Sequence, residues 1–168
     1  MVKSDIRDGK RLSGAAARGD LTEVKRLLDQ ERVNVHTVNE FGKTALQVVM
    51  LGSSLVVEEL LKHGARPDVQ DQWGFALAHD VARCGFLDTL RVLTEHGANV
   101  NLPDAGGSLP IHLAAGEGHL DVVQHLAPIS NVQHRNLKGQ TPVEVARAAD
   151  RTGVAMWLKC QLGTQSLH

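Results

Sequence analysis

Residues 107–123 read Gly-Ser-Leu-Pro-Ile-His-Leu-Ala-Ala-Gly-Glu-Gly-His-Leu-Asp-Val-Val, and this stretch decides the fold. Two of its glycines belong to series that run along the chain in steps of 33 or 32 residues. Self-similarity at a fixed period of this length predicts a repeat protein, in which stacked copies of one small unit bury a shared core. The two series are Gly19, Gly52, Gly85 and Gly118, and Gly42, Gly74, Gly107 and Gly139.

Each period predicts a pair of helices joined by a turn. The first helix of a pair is short and rich in Ala and Leu, as in residues 109–116. The second helix begins at an Asp20-x-x-Glu23 capping box in the first repeat, and at Ser53 or Ser54 in the second. Apolar residues at helical spacing then predict the buried face of that helix. They are Val24, Leu27 and Leu28 in the first repeat, and Val57, Leu60 and Leu61 in the second.

This two-helix unit with a glycine-bearing turn resembles the ankyrin repeat. The resemblance implies an all-α fold, a solenoid of five helix-turn-helix units joined by β-hairpin-like loops. The chain is expected to form a single five-repeat domain over residues 10–162, between a short N-terminal tail, 1–9, and a C-terminal tail, 163–168. The five units are expected at about 10–38, 39–70, 71–103, 104–135 and 136–162.

Composition excludes several classes of function. The chain has 168 residues, with 18 Lys and Arg against 19 Asp and Glu, so its charge gives no reason to expect a nucleic-acid partner. No apolar run approaches the roughly 18 residues of a membrane-spanning helix, and no membrane partner is expected. The two cysteines, Cys84 and Cys160, form neither a disulfide framework nor a paired zinc motif, which predicts a reducing, intracellular setting.

The nine histidines do not predict a metal site. His79 and His112 are 33 residues apart, as are His63 and His96, so the repeat itself explains these four. Phosphate-binding loops, Gly-x-Ser-x-Gly and His-Glu-x-x-His are all absent from the sequence, and we expect neither an enzyme nor a cofactor. A weaker option is an enzyme that uses Cys84, whose pKa a neighbouring arginine would lower. The competing reading of Cys84 is a small filler beside a helix end.

Function is best sought where one repeat departs from the others, and the second repeat does so in length. Ten steps separate Gly42 from Gly52, whereas eleven separate the equivalent glycines of the next two repeats. The missing residue predicts a first helix that is distorted or reduced to a turn. Val49 and Met50 are then expected to be partly exposed beside the loop at Phe41. The alternative is a tolerated deletion that Met50 repacks, since methionine fills irregular gaps well.

A second departure is Asp80. Three other repeats hold an aliphatic residue at this place, which predicts a core position where a carboxylate is costly unless it points outward or has a partner. Arg83 lies one helical turn away and is the candidate partner. Asp88 falls in the first turn of a second helix, where a carboxylate complements the helix dipole. Trp73 lies at the tip of a turn and is a candidate contact residue. The aliphatic equivalents of Asp80 are Val48, Leu113 and Val145.

Three motifs carry a further resemblance. Residues 12–20 read Leu-Ser-Gly-Ala-Ala-Ala-Arg-Gly-Asp, residues 41–48 read Phe-Gly-Lys-Thr-Ala-Leu-Gln-Val, and residues 79–90 read His-Asp-Val-Ala-Arg-Cys-Gly-Phe-Leu-Asp-Thr-Leu. Through these motifs the chain resembles, over about residues 10–162, the ankyrin-repeat inhibitors of the cyclin D-dependent kinases. Five repeats and the Lys-Arg-Leu-Ser-Gly start at residues 10–14 bring it nearest to the D-type, five-repeat member of that family.

The resemblance implies a protein inhibitor that binds the catalytic subunit of a cyclin D-dependent kinase beside its active cleft. Such an inhibitor distorts the nucleotide site, opposes cyclin docking and arrests the cell cycle in G1. It is expected to be a monomer when free and to occur in the cytoplasm and the nucleus. The alternative is a general ankyrin adapter for another intracellular protein, such as a transcription factor. The expected contact residues, with Trp73 added from its exposed place, are Phe41, Gln47, Val49, Met50, Trp73, Phe75, Asp80, Arg83 and Asp88.

Overall fold

The computed structural model describes the backbone of residues 2–166 and the side chains of residues 6–163. Within that part of the chain ten α-helices follow one another and no β-strand occurs, which confirms the all-α prediction. An isolated bridge between Val38 and Thr44 is the only β-type pairing there. The helices are α1 Val2–Ala17, α2 Leu21–Lys25, α3 Ala45–Val48, α4 Ser54–Lys62, α5 Leu77–Cys84, α6 Leu87–Glu95, α7 Pro110–Glu117, α8 Leu120–Leu126, α9 Pro142–Ala148 and α10 Thr152–Ser166.

The helices form five pairs that stack along the chain. The inner helices α5, α7 and α9 pack on one another in succession, and α1 packs on α3. The outer helices α2, α4, α6, α8 and α10 form a second row in the same order. A π-helical turn, Arg26–Gln30, extends α2, and a 3₁₀ turn, Ala127–Ile129, extends α8. Each helix therefore buries one face against the other helix of its pair and another face against the neighbouring repeat.

The chain ends differ from the tails that the sequence predicts. Helix α1 begins at Val2, so the segment 1–9 is helical from its second residue onward. Helix α10 continues through the segment 163–168 as far as Ser166. Met1 and residues 167–168 lie outside the described residues. No helix among residues 2–166 is long and apolar enough to cross a membrane.

The caps of the outer helices agree only partly with the sequence patterns. Asp20 Oδ1 accepts a hydrogen bond from the backbone N–H of Glu23 at 3.1 Å, as predicted. The reciprocal half is wrong, because the Glu23 carboxylate binds Arg26 at 2.6 Å instead. Ser53 occupies the N-cap of α4 but makes no side-chain cap hydrogen bond. The complete capping box belongs to α3, where the Gln47 side chain accepts from the backbone N–H of Thr44 at 3.0 Å.

The core consists of small and aliphatic side chains that repeat from layer to layer. The apolar residues that the helical spacing selects are all buried, which confirms them as the core faces of α2 with its π-helical extension and of α4. Alanine pairs at 15–16 and 114–115 are fully buried where inner helices pack, since a methyl group allows close approach. Partly buried Trp157 of α10 packs against the last layer.

Consecutive repeats are joined at the glycines of the first series. Each of these glycines is covered by a side chain from the following repeat, whose nearest atom would lie 2.7–3.2 Å from an added Cβ. The period of this series therefore reflects packing between repeats, and three of the four glycines also have the positive φ of a turn. The covering side chains are Met50 over Gly19, Phe86 over Gly52, His119 over Gly85 and Arg151 over Gly118.

Two buried histidines support the turns that precede the inner helices. His79 Nδ1 accepts a hydrogen bond from the backbone N–H of Ala76 at 3.1 Å, and Nε2 faces the carbonyl oxygen of Ser108 at 3.2 Å. His112 repeats the arrangement at Leu109, also at 3.1 Å. Burial lowers the pKa of both imidazoles. The repeat accounts for these two histidines, as the sequence predicts.

Candidate binding groove

A groove of about 360 Å³ lies between the first two hairpin-like loops, residues 39–43 and 71–75, and the inner helices α3 and α5. Leu46 and Val48 of α3 supply apolar lining, and Lys43 and Arg66 contribute cations. An open groove of this size, lined by apolar side chains and a few convergent charged groups, can accept a protruding side chain or loop of another protein.

Asp80 on α5 lines this groove with its side chain 32% exposed. Arg83 Nη2 donates a hydrogen bond to Asp80 Oδ1 at 3.0 Å, so the predicted partner is confirmed. Desolvation by burial raises the pKa of the Asp80 carboxyl, although the Arg83 charge opposes that rise. The site thus holds a partly desolvated carboxylate that one guanidinium only partly compensates.

The core position predicted for Asp80 is wrong. Its three equivalents in other repeats are only partly buried, and they line grooves on the same side of the stack. The sixth residue after each turn glycine therefore points toward this surface and not into the core. Asp80 replaces a groove-lining aliphatic side chain, which places a charge where the repeat otherwise offers apolar surface.

Arg83 and Phe75 extend the charged centre into a cluster. The Arg83 guanidinium carbon lies 5.7 Å from the centroid of the Phe75 ring, within the range of a cation–π interaction. The same ring meets the buried His79 ring edge-on at 5.9 Å between centroids. Because His79 is fixed by its own hydrogen bonds, this packing positions Phe75, Arg83 and Asp80 as one unit.

Two exposed aromatic rings stand at the loop tips beside the groove. The Phe41 side chain is 76% exposed and the Trp73 side chain is 58% exposed. Asn39 Oδ1 accepts from the backbone N–H of Phe41, and Asp71 Oδ1 accepts from that of Trp73, both at 2.9 Å. These side-chain hydrogen bonds hold the tips in tight turns. Each ring is therefore presented from a well-defined loop without being buried by the chain itself.

Comparison with known proteins adds the family. A profile described as Ankyrin repeats (3 copies) matches residues 12–104, and one described as Ankyrin repeat matches residues 106–136. Cyclin-dependent kinase 4 inhibitor B of Homo sapiens is 47% identical over 116 residues, which are 68% of this chain and 83% of that protein. Its namesake in Rattus norvegicus is 45% identical over 116 residues, 68% of this chain and 88% of that protein. The chain belongs to the ankyrin-repeat family of cyclin-dependent kinase inhibitors.

A third relative in this inhibitor family is cyclin-dependent kinase inhibitor 2A of Monodelphis domestica. It is 42% identical over 122 residues, 72% of this chain and 71% of that protein. The nearness to the five-repeat member within the family stays a prediction. Membership in a family of inhibitors gives no support to the enzyme reading of Cys84. Cys84 is exposed, and the guanidinium of the neighbouring Arg83 is directed at Asp80 and Phe75.

The second repeat has the short inner helix that its missing residue predicts. Helix α3 has four residues, whereas α5 and α7 have eight each. The exposure predicted for Val49 is wrong, because its side chain is only 4% exposed. The chain turns extended at Val49, and the backbone N–H of Met50 donates to the carbonyl oxygen of Ala16 at 3.0 Å. This bond to the first repeat places Val49 in the core and leaves Met50 exposed.

The structure places the remaining predicted contact residues on different parts of the surface. Gln47 lines the groove, but its side-chain oxygen Oε1 already accepts the capping hydrogen bond from the backbone N–H of Thr44. Asp88 is exposed in the first turn of α6, in the outer row, and is not part of the groove lining. The groove therefore gathers Gln47, Trp73, Phe75 and Asp80, while Met50 and Asp88 lie on other parts of the surface.

A second groove, of about 520 Å³, was not predicted from the sequence and lies between the loops and inner helices of the third, fourth and fifth repeats. Trp73 and Phe75 line both grooves, and Leu137, at the tip of the last loop, is 80% exposed. The loop tips are joined by backbone hydrogen bonds from Ala105 N–H to Trp73 O at 2.8 Å and from Leu137 N–H to Gly106 O at 2.9 Å. An apolar residue inside a polar turn was the available sequence signal.

Proposed function

We propose that this protein inhibits cyclin D-dependent kinases by binding their catalytic subunit beside the active cleft. The proposal rests on the family and on the composition of the first groove. The human and rat relatives described above are both named as inhibitors of cyclin-dependent kinase 4. The groove offers what a protein surface needs for selective docking, namely exposed aromatic rings around a charged centre that is poorly solvated.

The single observation that carries the proposal is the position of Asp80. A carboxylate stands in the groove where other repeats have an aliphatic residue, and burial raises its pKa in the free protein. An ionised carboxylate that has lost part of its water is stabilised when a cation or an N–H donor of a partner forms a hydrogen bond to it. Arg83 keeps the carboxylate oriented, and the exposed rings of Phe41 and Trp73 supply apolar contact area.

In this mechanism the stack of repeats acts as a rigid body lodged against the kinase, away from the cyclin. Its insertion turns the two kinase lobes relative to one another, distorts the nucleotide site and weakens cyclin docking. The cell is then arrested in G1. The inhibitor is a monomer when free, and it works in both cytoplasm and nucleus. The last two repeats support the first three and extend the loop-tip surface as far as Leu137.

The proposal is tested by titrating the protein against purified, cyclin-free cyclin-dependent kinase 4, with a kinase of another cyclin class as the control. We expect binding to the first kinase only, with loss of phosphoryl transfer. Asp80→Asn is expected to raise the Kd by more than about fivefold, or ~1 kcal/mol, for the loss of a charged hydrogen bond. Asp121→Asn, a change of an exposed carboxylate on α8, is the matched control and is expected to leave the Kd unchanged.

Failure to bind either kinase would return the protein to the class of general ankyrin adapters. Binding with the same Kd by Asp80→Asn, while the native protein binds kinase 4, would remove Asp80 from the contact and leave inhibition standing. Circular dichroism of both variants separates a lost contact from a lost fold.

A further inference from the structure

Three metal-ligating side chains converge on the outer side of the molecule, two of them four residues apart at the end of α4 and the third from 34 residues before His63. Asp29 lies in the π-helical turn after α2, Glu59 is on α4, and His63 follows the end of α4. One ligand atom of each lies within 4.8 Å of the other two. His63 Nε2 is 2.9 Å from Asp29 Oδ1, and His63 Nδ1 is 3.7 Å from Glu59 Oε1. The cluster therefore spans the junction of the first and second repeats.

The backbone fixes which nitrogen of His63 is available to bind a metal ion. Nδ1 lies 2.9 Å from the carbonyl oxygen of Glu59, which has no proton, so Nδ1–H must be the donor. Nε2 then faces the Asp29 carboxylate at 2.9 Å, a hydrogen-bond distance that needs a positive charge between the two atoms, which a proton on Nε2 provides in the free protein. A metal ion supplies such a charge. Histidines that bind metals commonly donate their other ring N–H to a backbone carbonyl in this way.

The carboxylates of the cluster are otherwise uncompensated. The Glu59 side chain is only 13% exposed, although a buried charge is costly without a partner. In the part of the chain whose side chains are described, no lysine or arginine forms an ion pair with Asp29 or Glu59, whereas neighbouring Glu58 has Lys62 at 3.2 Å. Two carboxylates thus share one imidazole, and a divalent cation would neutralise them.

The repeat pattern explains His63 but not the carboxylates around it. His96 occupies the same place one period later, and its Nδ1 likewise lies 3.0 Å from the carbonyl oxygen four residues before it. The positions 33 residues beyond Glu59 and Asp29 hold Val92 and Lys62. The histidine is therefore a repeat feature of the helix end, and the two acidic ligands are particular to the first junction.

We infer that Asp29, Glu59 and His63 form a binding site for a divalent transition-metal ion, with Zn²⁺ as the ion that their chemistry favours. Imidazole nitrogen and carboxylate oxygen are both zinc ligands, and three protein ligands leave the fourth position of the ion to water. Mg²⁺ and Ca²⁺ prefer oxygen ligands alone. Tetrahedral zinc bonds place neighbouring ligands about 3.3 Å apart. The exposed Asp29 carboxylate needs to move only slightly from its 2.9 Å to His63 Nε2, whereas the Glu59 carboxylate, which lies nearest Nδ1, must turn toward Nε2.

The bound ion would join α4 to the turn after α2, and it would stabilise the pairing of the first two repeats. The test is calorimetric titration of the untagged, full-length protein with Zn²⁺ in a non-chelating buffer, together with thermal unfolding. We expect one ion per chain and a higher unfolding midpoint with Zn²⁺ but not with Mg²⁺. His63→Gln and Asp29→Asn should each raise the Zn²⁺ Kd by at least about tenfold.

His96→Gln is the matched control, because it removes the equivalent imidazole where the acidic ligands are missing. It should leave the Zn²⁺ Kd within about twofold of the native value. No calorimetric binding of Zn²⁺, or equal losses in His63→Gln and His96→Gln, would overturn the site and reduce any residual zinc binding to scattered surface histidines. Circular dichroism checks that the variants remain folded.

Discussion

Gly85→Ala tests how tightly consecutive repeats are joined. Gly85 ends α5 with φ of +81°, a left-handed conformation that costs an L-residue about 1–2 kcal/mol. An added Cβ would also lie 2.7 Å from Nδ1 of His119, whose Nε2 is 3.0 Å from the carbonyl oxygen of Arg83. Moving that ring adds about 1–3 kcal/mol of overpacking and weakens the hydrogen bond. We expect a total loss of about 2–5 kcal/mol in the free energy of unfolding.

Gly97→Ala is the matched control, because its backbone has the same φ of +81° but nothing lies within 4 Å of an added Cβ. This variant should lose only the conformational part, about 1–2 kcal/mol. In a His119→Ala background, the extra loss of Gly85→Ala should largely disappear, since the clashing ring is gone. The pair of changes at Gly85 and His119 thus forms a double-mutant cycle that isolates the contact between repeats.

The assay is urea unfolding followed by circular dichroism, with the slope compared between variants to check that the unfolding transition itself is unchanged. Equal losses in Gly85→Ala and Gly97→Ala would refute the reasoning, because they would show that the cover over the glycine contributes nothing. So would a Gly85→Ala loss that persists undiminished without the His119 ring.

Three further predictions follow from buried polar and titrating groups. Thr89→Val should raise the free energy of unfolding by about 1 kcal/mol in thermal denaturation, because the buried hydroxyl has no hydrogen-bond partner among the described residues. Since burial raises the pKa of Asp80 above its unfolded value, ionisation disfavours folding, and Asp80→Asn should gain stability relative to the native protein as pH rises from about 3.5 to 6 in urea titrations. The pKa of His112 is lowered by burial, so the unfolded chain binds protons first and stability falls as pH drops below about 6.5, less steeply in His112→Gln.

The sequence predicted the helices and the core well because both depend on neighbours within one repeat. Apolar spacing selected the buried faces of α2 and α4, and a single missing residue correctly predicted the shortened α3. The caps were predicted less well. The Asp20-x-x-Glu23 pattern is equally compatible with Glu23 pairing with Arg26, which is the arrangement found, since both partners lie within one helical turn.

The candidate groove was predicted only in part. The repeat comparison singled out Asp80, the place at a turn tip singled out Trp73, and the spacing gave Arg83 as the partner of Asp80. It could not give the direction of Val49, because a hydrogen bond from the next residue to Ala16 of another repeat decides that. Leu137 was missed for the same reason, since its place beside a groove depends on how the loops align across repeats.

The sequence by itself determined the period, the paired helices, the turn glycines and the family, because these follow from residues close together in the chain. Only the tertiary structure decided which repeats present which side chains to one another. It brings Arg83 over Phe75, places His119 over Gly85 and sets His63 against Asp29, 34 residues earlier. The physical reason is that a repeat pattern specifies the same local fold each time, while the contacts between repeats depend on the positions where neighbouring copies differ.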